Sequence, residues 1–173
     1  MKRNNVLRNT QGFTLVELAI VLVIIGLIIG GVLKGRELIT NSKAKSVASQ
    51  LQSMSGATGL YKDKFPTAGF PNISSLQSKG FLTGTGGMRN KFTGDVFLVP
   101  VSGSLPACAV STKIPGEIAM MVDVAIDDGN PTTGSLRIYS TAPASLTVRP
   151  TTLLATAADV EALAETHIVL DFN

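Results

Sequence analysis

Between Phe13 and Leu33 the chain is apolar except for Thr14 and Glu17. Those residues, wound as a helix with a rise of about 1.5 Å each, cover about 31 Å, the depth of a bilayer's hydrocarbon core. No small soluble domain hides such a stretch without a partner, so one membrane pass is expected. Ahead of it, Lys2, Arg3 and Arg8 stand without an acid, and basic flanks stay on the cytoplasmic side, which sends the bulk of the chain outward. A secretory signal would be shorter and would end at a small-residue cleavage site. Here the run leads instead through Lys34 and Arg36 into an amphipathic stretch. An uncleaved signal anchor is the better reading, with a plain single-pass anchor as its simplest version.

Glu17 is what a plain anchor leaves unexplained. An ionisable group in the apolar span costs on the order of 2.5–3.5 kcal/mol at mid-membrane, and such groups normally have a partner. The segment offers no cation, so the partner is expected from another chain or from a charge created by processing.

The run Gly12-Phe13-Thr14-Leu15-Val16-Glu17, with its basic leader and following apolar helix, resembles the class III signal of type IV pilins and type II secretion pseudopilins. The resemblance is sharp over residues 8–40 and loose beyond them. It implies cleavage between Gly12 and Phe13 by a membrane peptidase, which also methylates the new amine of Phe13. It further implies that Glu17 meets the terminal amine of a neighbouring subunit. The physics agrees: the cut creates a cation four residues before Glu17, and pairing between chains removes an uncompensated charge as subunits pack.

Within the span, Gly26/Gly30 and Gly31/Gly35 form small-xxx-small pairs that let helix backbones approach. Family filaments often carry a locally unwound helix here, commonly at a Pro. This chain has none in the span, which leaves helix melting at the glycines beside ordinary glycine enrichment of membrane helices.

Beyond the span, Ala44, Val47, Ala48, Leu51 and Met54 recur at helical spacing with Lys43, Lys45, Ser49 and Gln50 on other faces. The helix is expected to continue over residues 34–60, with Gly56, Gly59 and the Phe65-Pro66 loop marking its end. Short helices are expected at 72–79, 117–126 and 157–165. Strands are expected at 96–101, 107–111, 136–140, 146–149 and 167–172. The resulting organisation is a leader (1–12), a transmembrane and assembly helix (13–33), an amphipathic continuation (34–60) and a globular head (61–173). The fold class is α+β: a long N-terminal helix, its first half in the membrane, packed on a small head with an antiparallel sheet. The pilin resemblance implies the same architecture.

Charge is unevenly spread. The formal +3 includes the three leader cations; residues 34–91 hold nine cations and two acids, whereas residues 92–173 hold three cations and nine acids. A basic stem and an acidic head suit contacts between stacked subunits, or attraction of the stem to anionic lipid. Nucleic-acid binding by the stem finds little support, since Arg89 and Lys91 have few aromatic neighbours beyond Phe92.

Asp127-Asp128-Gly129-Asn130-Pro131-Thr132-Thr133-Gly134 offers hard-cation ligand types, and some secretion pseudopilins carry a calcium loop in the head. The spacing follows no EF-hand, however, and Asp, Gly, Asn and Pro are turn formers, so a turn is preferred and no metal or cofactor is expected. Spacing alone does not bring Asp123, Asp127 and Asp128 together for acid/base work. With one His, His167, one Cys, Cys108, and no phosphate loop or zinc pattern, no catalysis is expected. Cys108 cannot form an intrachain disulfide, a departure from many type IV pilins, and is expected to be a buried apolar filler.

The expected function is a structural subunit of a type IV pilus or pseudopilus. Its implied partners are a prepilin peptidase/methyltransferase, other pilin or pseudopilin subunits and an inner-membrane assembly platform, and its implied location is the bacterial inner membrane and then the filament. The alternative is a membrane-anchored module that binds a ligand, DNA or a surface and never polymerises.

Overall fold

The computed structural model describes residues 12–83, 88–101, 106–144, 150, 152–154 and 156–172. The chain divides into two units between Ile39 and Thr40.

In the first unit, helix α1 (Leu15–Lys64) begins, and residues 12–34 are all exposed apart from contacts within the helix itself. Leu15 is 87% exposed and Leu22 69%. An 18-residue window of this helix has a mean hydropathy of 2.9 and buries none of its residues. Helical hydrogen bonding satisfies the backbone of such a segment without water, but its side chains require lipid or other helices around them. The helix is continuous through Gly26–Gly35, and a Cβ built on Gly26, Gly30, Gly31 or Gly35 meets no atom within 4 Å. In the single chain these glycines accommodate nothing among the described residues, and the helix is unbroken across them.

In the second unit, α1 contributes a stripe of buried residues, Ala44, Val47, Ala48, Leu51, Met54, Ala57, Thr58 and Tyr61. The stripe continues past Gly56 and Gly59, so these glycines do not end the helix as their propensity suggested. Burying Ala57, Thr58 and Tyr61 outweighs a helix cost of about 1 kcal/mol per glycine, and α1 ends at Lys64, just before Phe65-Pro66. Helix α2 (Ile73–Ser78) follows, with the Asn72 side chain accepting from the Ser75 N–H.

The head is built on a five-stranded antiparallel sheet in the order β1-β2-β3-β5-β4. Its strands are β1 (Met88–Arg89), β2 (Asp95–Val99), β3 (Cys108–Ile114), β4 (Leu136–Tyr139) and β5 (Thr166–Asp171). Helix α3 (Gly116–Ile126) joins β3 to β4, and the short α4 (Ala157–Glu161) lies between β4 and β5. The α+β class with an antiparallel sheet read from the sequence is the observed one. The strand expected at 146–149 falls outside the described residues. The helix expected over 157–165 stops at Glu161, and β1 was not foreseen because two residues carry no periodicity.

Alternation along β2 divides the core. Val96 and Leu98 join the α1 stripe with Leu136, Ile138, Ile168 and Leu170, while Phe97 and Val99 cluster with Cys108, Val110, Tyr139 and Val169 on the opposite face. Cys108 is fully buried there. Between β1 and β2, buried Asn90 serves four hydrogen bonds. Its amide donates to Ser111 Oγ (2.9 Å) and the Thr112 carbonyl (2.6 Å), and its Oδ1 accepts from the Phe92 and Gly94 N–H groups.

Candidate functional site

The processing residues form a structured helix start. Thr14 precedes the first helical residue and Glu17 follows three positions later, the spacing of a capping box. Both partners are engaged: the Thr14 N–H and hydroxyl each donate to Glu17 Oε2 at 2.8 Å, and the Glu17 N–H donates to Thr14 Oγ1 at 3.3 Å. These hydrogen bonds come from within the chain and are distinct from the cationic partner that the sequence leads one to expect from another chain or from processing. The donors to Glu17 lie on Thr14, and what the segment lacks is a countercharge. Glu17 also sits in the first helical turn, where the amide dipoles favour an anion.

Gly12 and Phe13 lie ahead of this cap, exposed, with Phe13 at 82%. A Cβ added at Gly12 meets no atom within 4 Å. Nothing among the described residues requires a glycine there.

Residues 7–33 match the prokaryotic N-terminal methylation motif. That match covers Arg8, the leader cation nearest the span, Gly12, Phe13, Glu17 and the apolar helix, and stops where the amphipathic continuation begins. In structure the chain is similar to the major type IV pilin PilA1 from Clostridium difficile, at 13% identity over 77% of this chain and 96% of that one, with a TM-score of 0.45. No curated protein sequence matches it.

A second group of chemically capable residues lies in the head. Asp123, in the last turn of α3, Asp127, its C-cap, and Asp128 each place a carboxylate oxygen within 4.8 Å of the others. Asp127 is held by the strand that follows: Oδ2 accepts from the Ser135 N–H, the Ser135 hydroxyl and the Leu136 N–H (3.0 Å). Asp128 accepts from the Asn130 N–H (2.9 Å) and the Thr133 hydroxyl (2.6 Å), and these bonds hold its carboxyl below the usual range, the Thr133 bond most of all. Asp123 is fully buried, and neither carboxylate oxygen has a hydrogen-bond partner among the described residues. Burial first, and then the charges of Asp128 and Asp127, push its carboxyl from 3.8 up to about 6.

The turn expected over 127–134 is present, with Gly129 and Gly134 at positive φ. What went unread is that Asp123 joins it. A signal existed: in a helix that ends at residue 126, position 123 lies one turn before the cap, and its carbonyl accepts from the Asp127 N–H. His167 lies apart from the three acids on β5, opposite Tyr139 of β4. It is buried, its Nδ1 has no partner among the described residues, and burial holds its pKa below 6.5 against a smaller opposing effect of Glu165.

Proposed function

We propose that this chain is a structural subunit of a type IV pilus or secretion pseudopilus. It enters a bacterial inner membrane through residues 13–33, is cut between Gly12 and Phe13 by a prepilin peptidase, and is N-methylated on Phe13. It then passes through an inner-membrane assembly platform into a filament of pilin or pseudopilin subunits by packing of the apolar helices.

The observation that carries this reading is the Gly12-to-Glu17 signal at the start of an apolar stretch exposed over residues 12–34, with the methylation motif spanning both. A side chain at position 12 would meet no atom of the described residues. A protease cleft that must approach the backbone closely supplies a reason for glycine there. Cutting there leaves an amine on Phe13, next to the capped turn that carries Glu17. In a bundle of parallel helices staggered along a filament, the Glu17 of one subunit then accepts the terminal amine of its neighbour, which neutralises two charges in an apolar setting. The head, with its own core and antiparallel sheet, has no part in this chemistry and is carried outward on the helix.

The test is the mature N-terminus. Intact mass and terminal peptide sequencing of protein co-expressed with a prepilin peptidase should show loss of residues 1–12 and one added methyl on Phe13. An intact leader would instead reduce the chain to a membrane-anchored module.

A further inference from the structure

Glu117 and Glu161 are exposed acids with no ion pair among the described residues. With Met120, Met121 and Val124 they line an open groove of about 510 Å³ between α3 and α4. Val124 is 68% exposed, so an apolar side chain stands in water beside two uncompensated acids. The charge around them has one sign: residues 114–136 and 150–172, which contain both helices, hold eight acids and no Lys or Arg. Such a groove suits a partner that is apolar in body and cationic at its tips.

The chain carries a surface of that kind on the other edge of its sheet. β1 and β4 are the edge strands; α3 packs on β4 and β5, whereas the β1–β2 turn lies beside α1. There Gln50 of α1 donates to the Arg89 carbonyl (3.2 Å), and Lys43 Nζ stands 5.3 Å from the centre of the half-buried Phe92 ring. Lys91, next to it, is exposed and has no ion pair among the described residues. Residues 40–94 hold seven cations and one acid. Asn90 fixes the turn by accepting from the Phe92 N–H, so its shape exists before a partner arrives and little ordering entropy is lost on contact. Turn and groove also share one end of β3. The Asn90 amide donates to the Thr112 carbonyl, and α3 starts at Gly116, just past the end of that strand at Ile114.

From this arrangement we infer that the α3–α4 groove of one subunit receives the β1–β2 turn of a second copy of this chain. Phe92 meets Met121 and Val124, and Lys43 and Lys91 face Glu117 and Glu161. The inference rests on the filament reading and names a contact between heads. Because turn and groove lie on opposite edges, each joined pair leaves one of each free, so the contact is heterologous and propagates instead of closing as a two-fold dimer does. Five lining residues are few against the roughly 20–30 per side of a stable interface; the packed helices supply the effective concentration that makes the contact count.

The test uses the full-length chain in cells that supply a prepilin peptidase and an assembly platform. Cys108 is fully buried and stays in place. Lys91→Cys combined with Glu161→Cys, treated as sheared filaments with a short bis-maleimide, should give a ladder of covalent dimers, trimers and higher oligomers on a denaturing gel, and neither single variant should give more than a dimer. Lys91→Glu and Glu161→Lys should each lower filament yield about tenfold, and the two together should restore it, because like charges across a contact oppose it and the double exchange re-forms the pair. Filaments at normal yield without a ladder would overturn this contact and leave the filament reading standing. So would a crosslink from position 161 to a different protein, or a double exchange no better than its parts. Absence of filaments from the wild type would overturn the filament reading and this contact with it.

Discussion

The Asp127 carboxylate occupies the space that a side chain on Gly134 would need: a Cβ built on Gly134 would lie 1.9 Å from Asp127 Oδ2. The glycine is at φ +72°, so two independent requirements meet at one position. Gly134→Ala forces a left-handed conformation that costs about 1–2 kcal/mol and expels the acceptor from the Ser135 and Leu136 N–H groups. A loss of about 3 kcal/mol in unfolding free energy is expected, read by denaturant titration. Gly69→Ala, where an added Cβ meets nothing within 4 Å, should stay within about 0.5 kcal/mol.

Asn90 holds the β1–β2 loop in a shape that its other residues resist, with Thr93 at φ 64°. Asn90→Asp keeps the size and the acceptor for Phe92 and Gly94 but loses the donors to Ser111 Oγ and the Thr112 carbonyl, and it places a charge in a buried site. Destabilisation of about 2–4 kcal/mol is expected from the same titration. A change below about 0.5 kcal/mol would mean that the Asn90 amide does not hold the loop.

How much of this was legible in the sequence depends on the length scale of each signal. The Phe13–Leu33 run, the Val47-Leu51-Met54 stripe and the strands around Val96 and Val110 announce themselves by composition and period, and they appear where periodicity put them. The end of α1 was misplaced because Gly56 and Gly59 speak only for local propensity, while Ala57, Thr58 and Tyr61 are fixed by packing in the head. Asn90 was not legible as a structural residue, and Asp123, though named among the acids, was not legible as buried, for a different reason. Asn90 reaches Ser111 and Thr112 across the sheet. What makes Asp123 unusual is burial without a hydrogen-bond partner among the described residues, and no spacing encodes that.

His167 gives the head a pH dependence of determinate sign. Burial lowers its pKa in the folded state below 6.5, so between those two values the unfolded chain binds more protons than the folded one. Its contribution is present above about pH 6.5 and is lost as pH falls through the folded pKa. Asp123 acts in the opposite direction over the window from 3.8 to about 6, so the histidine is isolated by comparison. The wild type should lose stability relative to His167→Gln as pH is lowered from 7 to 5, measured as the difference between their unfolding midpoints. Parallel curves would mean that His167 titrates alike in both states.

The Thr14–Glu17 box separates two roles that one substitution would confuse. Glu17→Gln keeps an acceptor for the Thr14 N–H and hydroxyl, since Gln serves a capping box as well as Glu, and it removes only the charge. Glu17→Ala removes both, and Thr14→Ala removes the cap alone at about 1 kcal/mol. If Glu17 answers a neighbour's N-terminal amine, then Gln and Ala should both abolish filaments while leaving processed subunit in the membrane, and Thr14→Ala should reduce assembly only slightly. The measurement is sheared or purified filament yield against membrane-held mature subunit, with terminal peptide mass confirming the cut at Phe13 in each variant. Normal filaments from Glu17→Gln would show that the cap, and not the charge, is what assembly requires, because the hydrogen bonds survive that change and the countercharge does not.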